Sequence, residues 1–89
     1  MKTITVEIKN RAGLHARPSS LFVQTAGNFD SEIKVKYEDE EINGKSIMGL
    51  MLLAAEQGSI LTLTANGSDE DEMLEALRNL IEVEQFGEE

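Results

Sequence analysis

The 89-residue chain has no cysteine and no tryptophan, a single proline, a single histidine and few aromatic residues. Without cysteine there is neither a disulfide framework nor a thiolate metal site, and one histidine supplies too few nitrogen ligands for a zinc centre. No metal is expected. Basic residues are scarce too, eight Lys and Arg against seventeen Asp and Glu, for a formal charge of −9. Such a surface repels phosphate backbones, which argues against nucleic acid and for partner proteins with basic or apolar faces.

Long hydrophobic runs are also missing. The longest, Ile47 to Ala55, is interrupted by Gly49 and falls well short of the roughly 20 residues of a membrane span. The N-terminus enters an alternating segment at once, with no basic stretch followed by an apolar one, so no secretory signal is expected. These absences predict a soluble, cytoplasmic protein without membrane insertion. The length predicts one domain over residues 1–89, too small for a wide catalytic cleft with its own lid. A carrier or binding module suits it better than a free-standing enzyme.

What is present is clear periodicity. Lys2 to Lys9 places Ile4, Val6 and Ile8 on one side and polar residues on the other, the pattern of a half-buried strand. Pro18 to Ala26 reads as a helix stopped by Gly27-Asn28. Glu32 to Tyr37 alternates again, with Ile33, Val35 and Tyr37 inward. Glu38 to Glu41 reads as a turn into a short strand near Ile42, although it lacks the glycine of a tight hairpin.

Asn43-Gly44 is a strong hairpin dipeptide and raises the alternative of a strand over 46–53. Richness in Met, Leu and Ala, an N-cap at Ser46 and a stop at Gly58 favour a helix from Ser46 to Gln57 instead, with Leu50, Leu53 and Ala54 inward. Ser59 to Asn66 is a fourth strand, and Ser68 or Asp69 caps a last helix to about Glu84, with Leu74, Leu77 and Ile81 facing the core. The order β-α-β-β-α-β-α predicts an α+β fold, an open-faced β-sandwich with a four-stranded antiparallel sheet and three helices on one face.

The chemistry gathers at Gly13-Leu14-His15-Ala16-Arg17-Pro18-Ser19-Ser20. With Pro18 in the first helical turn, His15 lies at or beside the N-cap, where unpaired backbone N–H groups face an anion. Arg17 adds a planar donor fork that fits phosphoryl oxygens. The plainer reading makes His15 an N-cap and Arg17 a surface charge. Ser19 and Ser20 read first as local partners of backbone N–H groups. The acidic runs Glu38 to Glu41 and Asp69 to Glu72 lack the spacing of a calcium loop and read as a solvated turn and a helix start.

Gly13-Leu14-His15-Ala16-Arg17-Pro18 resembles the active-site signature of the HPr family, the histidine-containing phosphocarriers of the bacterial phosphotransferase system. Gly44-Lys45-Ser46-Ile47-Met48-Gly49-Leu50 resembles that family's regulatory serine region, and the order of elements is the family's. The resemblance implies that His15 takes a phosphoryl group on Nδ1 from phospho-enzyme I, itself charged by phosphoenolpyruvate, and hands it to IIA units of sugar permeases. Arg17 matches the family's supporting arginine, and Ala16, Arg17 and Pro18 form the helix start that holds the phosphate. The protein is then a carrier, not a stand-alone catalyst, and needs no cofactor. Position 12, often polar in the family, is Ala12 here, so no side-chain hydrogen bond comes from it.

The helix starting at Ser46 is apolar nearly all round. If one side faces the sheet, Ile47, Met48, Met51 and Leu52 are left outside as a docking patch, although burial of them all fits the periodicity equally well. The resemblance favours docking, with Ala16 and Ser20 added from the first helix. It also matches Ser46 to the serine phosphorylated by HPr kinase/phosphorylase, on top of its N-cap role. The expected arrangement has both helix starts on one side of the molecule, Met48 exposed between them and the His15 ring open to solvent.

The expected partners are enzyme I, IIA proteins, the kinase and a transcription regulator, met by a monomer. Two other readings stay open. One is the nitrogen-related branch of the same carriers. The other is a regulatory binding module, switched at Ser46 and docking through Met48 and Met51.

Overall fold

The computed structural model describes residues 1–88. It contains β1 (Lys2–Glu7), α1 (Ala16–Ala26), β2 (Glu32–Tyr37), β3 (Glu40–Asn43), α2 (Ile47–Leu53), β4 (Ile60–Asn66) and α3 (Glu70–Arg78). The strands form one antiparallel sheet in the order β1-β4-β2-β3. The α+β order and the four-stranded sheet with three helices are those expected from the sequence.

Alternation sends Val6, Ile33, Val35, Leu61, Leu63 and Ala65 into the core, where they meet Phe22, Leu50, Met73, Leu77 and Ile81 from the helical layer. Each fully buried side chain of this size contributes about 1.5–3 kcal/mol. The opposite face keeps Thr3, Thr5, Lys34 and Lys36 exposed, and the hydroxyls of the cross-strand pair Thr3 and Thr64 lie 3.1 Å apart. Tyr37 is half-buried at the end of β2. Glu38 supplies the tight turn before β3 with a left-handed φ of 56°.

Three helix limits differ from expectation. The first helix starts two residues early, at Ala16, and Gly27 closes it in right-handed conformation (φ −66°), so no left-handed glycine is needed there. The second ends at Leu53, four residues short of Gln57, because Ala54 turns left-handed (φ 51°). Ala54 is consequently exposed, and Ala55 takes the inward place expected of it. The third passes at Arg78 into a π-helical turn, Asn79–Val83.

Asp69 stands at the N-cap of α3 but does not cap it. Its carboxylate instead accepts from the backbone N–H groups of Asp30 (2.9 Å) and Ser31 (3.0 Å) and from the Ser31 hydroxyl, tying α3 to the loop that enters β2. Beyond the π-helical turn, Gln85–Gly87 forms a last turn in which all three residues have positive φ, at 50°, 56° and 73°. Phe86 is 1% exposed and anchors it in the core.

Candidate functional site

Gly13 places the site. Its φ of 71° favours glycine, and a Cβ there would collide with the Ala55 carbonyl oxygen. That same oxygen accepts the Leu14 N–H at 2.9 Å, while Leu14 is buried. The loop before α1 is thereby fixed against the segment leaving α2, and His15 emerges from it as the N-cap residue (φ −87°, ψ −168°).

The His15 carbonyl accepts from Ser19 N–H at 3.1 Å, while its ring makes no capping bond. His15 is thus the N-cap residue by position and Arg17 is exposed, as the plainer reading has them, but the imidazole itself caps nothing. The backbone N–H groups of Ala16 and Arg17 lie in the unpaired first turn, and Pro18, which has no N–H, is buried in the third helical position. Arg17 and Ala16 are exposed and Ser20 is half-buried. Ser19 is fully buried and its hydroxyl has no hydrogen-bond partner among the described residues, so it is not the local partner of a backbone N–H expected of it.

The His15 side chain is 44% exposed. One edge of the ring is covered, because Nε2 lies 3.2 and 3.1 Å from the two carboxylate oxygens of Glu88. Glu88 Oε1 also accepts from Asn10 Nδ2 at 3.1 Å, and the same amide donates to the Gly13 carbonyl at 3.0 Å. Burial pushes the Glu88 carboxyl up, but the hydrogen bonds from His15 and Asn10 and the nearby Arg17 charge outweigh it and hold the group below its ordinary value. Neither Glu88 nor Asn10 stands out in the sequence. Asn10 reads there as a loop residue and Glu88 as one more acid near an acidic end. The only sequence cue was the single Phe86 close to the C-terminus, which would have to anchor that end.

Beside the ring is a shallow open depression lined by Ala12, Leu14, Ala16, Met51, Ala55 and Glu56. Met51 leads to the apolar patch on α2, where Ile47, Met48, Met51 and Leu52 are 40%, 69%, 41% and 72% exposed. All four expected surface residues are thus outside, while Leu50 and Leu53 hold the helix to the core.

One expected relation is corrected. Met51, near the end of α2, adjoins His15, whereas Lys45, just before α2, donates from Nζ to the Phe29 carbonyl beyond the end of α1 at 2.9 Å. The two helices run antiparallel, so their starts lie at opposite ends of the pair. Ser46 is half-buried, and its hydroxyl caps α2 by accepting from Gly49 N–H at 3.0 Å. A helix of seven residues puts Ser46 about 10 Å along α2 from the His15 end. Met48 is exposed on that stretch.

Among the described residues no group of acidic or histidine side chains is arranged to hold a metal ion. No helix of the described residues is long and apolar enough to cross a membrane.

Comparison with known proteins gives one answer. The family model for the PTS HPr component phosphorylation site matches residues 2–83. The phosphocarrier protein HPr of Neisseria meningitidis serogroup A is 52% identical over 77 residues, 86% of each chain. The HPr-like protein Crh of Halalkalibacterium halodurans is also 52% identical, over 79 residues, 89% of this chain and 94% of its own. The crystal structure of HPr-C-His from Thermoanaerobacter tengcongensis superposes with a TM-score of 0.94 at 54% identity, covering 100% of this chain and 99% of that one. The chain belongs to the HPr family of phosphocarrier proteins of the phosphotransferase system.

Proposed function

We propose that His15 is the phosphoryl acceptor, taking the group on Nδ1 from phospho-enzyme I and passing it to IIA units of sugar permeases. The observation that carries this reading is the place of His15, at the open first turn of α1 and beside a depression lined by the exposed Met51. On acceptance an Nδ1–phosphorus bond forms as the donor's bond to phosphorus breaks, the donor keeping that electron pair. On onward transfer the Nδ1–phosphorus bond breaks, its pair returning to Nδ1 as the acceptor's bond to phosphorus forms. The free N–H groups of Ala16 and Arg17 and the Arg17 guanidinium receive the phosphoryl oxygens, while Pro18 holds the turn. One arginine at an exposed helix end holds the group without making its onward donation uphill. The protein returns unchanged from each cycle and acts as a cytoplasmic monomer, so it is a carrier and not an enzyme on its own.

Ser46 is the regulatory site in this reading, modified by HPr kinase/phosphorylase. Its phosphate would lie at the far end of α2 from His15. Its charge acts on the Ile47 and Met48 end of the patch, and docking of enzyme I weakens without refolding.

Incubation with phosphoenolpyruvate and enzyme I tests the main claim. One acid-labile, base-stable phosphoryl group is expected on the parent protein and none on His15→Ala. Persistence of that product in the variant would sink the assignment. Comparing transfer from the sugar-type and nitrogen-type enzymes I decides between the two branches.

A second reading, a binding module switched at Ser46 that docks on a transcription regulator, is favoured by the equal 52% identity to HPr and to the HPr-like protein Crh. Partners captured only by the Ser46-phosphorylated protein, with no transfer through His15, would select it.

A further inference from the structure

The C-terminal end of the chain is built toward His15. Three successive left-handed residues, Gln85, Phe86 and Gly87, reverse its direction. For Gln85 and Phe86 this conformation costs about 1–2 kcal/mol each, and the burial of Phe86 holds them in it. The result is a Glu88 carboxylate with both oxygens on Nε2 of His15 and one also on Asn10, whose amide bridges to the loop at Gly13.

We propose that Glu88 is a positioning residue for His15, accepting its Nε2–H so that the lone pair of the neutral ring stands at Nδ1, and balancing the ring charge once Nδ1 carries phosphorus. An ionised carboxylate can only accept, so the nitrogen facing it carries the hydrogen. A neutral imidazole then has one nucleophilic nitrogen, Nδ1. Attack from Nδ1 moves no proton. The Nδ1–phosphorus bond forms, the donor's bond breaks with its electron pair staying on the donor, and the ring becomes cationic with Nε2–H retained. Glu88 faces that cation directly, and onward transfer returns the pair to Nδ1. Arg17 remains for the phosphoryl oxygens. Position 12 offers no competing partner for the ring, since Ala12 has no polar side chain.

This inference rests on His15 being the phosphoryl acceptor, and the two are tested separately. Nitrogen-15 NMR of the full-length protein, at a pH where the ring is neutral, reads the tautomer without any phosphodonor. The parent protein is expected to hold mainly Nε2–H. In Glu88→Ala the Nδ1–H fraction should rise, and the phosphoryl transfer rate fall, by about two- to fivefold, the scale of a partly exposed ion pair. Glu88→Gln keeps an acceptor at Nε2, so the tautomer should persist while the phosphoryl equilibrium shifts about two- to fivefold toward the donor. An unchanged tautomer ratio in Glu88→Ala overturns the proposal. So does a changed ratio with an unchanged transfer rate. A parent protein that shows the tautomer but takes no phosphoryl group refutes the acceptor role of His15 instead, leaving the positioning contact in place.

Discussion

The N–H of Leu14 donates to the carbonyl of Ala55 across 2.9 Å, joining the start of α1 to the segment that leaves α2. His15 follows Leu14 and Met51 precedes Ala55, so this one bond sets the proposed phosphoryl acceptor against the exposed apolar residues of α2. The proposed transfer needs both on one surface, since a partner docked on Met51 would have to present its own reacting group to His15.

Gly13 makes that approach possible. Gly13→Ala would put a methyl group against the Ala55 carbonyl oxygen in a left-handed backbone. The expected loss is about 2–4 kcal/mol, read as a lower urea midpoint with an unchanged slope. Phosphoryl transfer should fall as well, because the displaced loop carries His15.

At Ala54 the reverse change helps. Its φ of 51° is strained for alanine and natural for glycine. Ala54→Gly should stabilise the protein by about 1 kcal/mol, visible as a higher thermal midpoint, because the side chain is exposed and no core contact is lost.

Asp69 contributes to the acid limb of stability. Its carboxyl is held below the ordinary 3.8 by the Ser31 hydroxyl first, and then by the N–H groups of Asp30 and Ser31. A carboxyl with a depressed folded value contributes stability that is fully present above the unfolded value and is lost as pH falls through the folded one. Asp69→Asn should therefore lower the thermal midpoint by several degrees at neutral pH, and the gap to the parent should close below about 3.8. Melting curves across pH 2 to 7 (roughly the window of carboxylate titration) check both limbs.

Ser46 and Met48 separate capping from docking. Ser46→Ala removes the bond to Gly49 N–H and should cost about 1 kcal/mol, whereas Ser46→Asp retains an acceptor and keeps most of that stability. Met48, 69% exposed, should leave stability within about 0.5 kcal/mol when changed to Ala. Its loss should weaken enzyme I binding by about tenfold, as for an interface anchor, measured by titration calorimetry.

The period-two strands were legible in the chain because each has one wet face and one dry face, so Ile33, Val35, Leu61 and Leu63 announce their side. The His15 motif was legible for a different reason. A helix start, an imidazole and a guanidinium are local features within three residues. The exposed side of α2 could be inferred too, since a short apolar helix lying on a sheet cannot bury its whole circumference. What no local pattern carries is where separate segments meet. Tertiary packing alone set α1 and α2 antiparallel, which moved Ser46 away from His15. It ended α2 at Ala54 through a left-handed alanine, and it placed Glu88, seventy-three residues beyond His15, on the imidazole. Those outcomes depend on long-range contacts, the Leu14 N–H on the Ala55 carbonyl and Phe86 in the core, and contacts of that kind are a property of the folded whole.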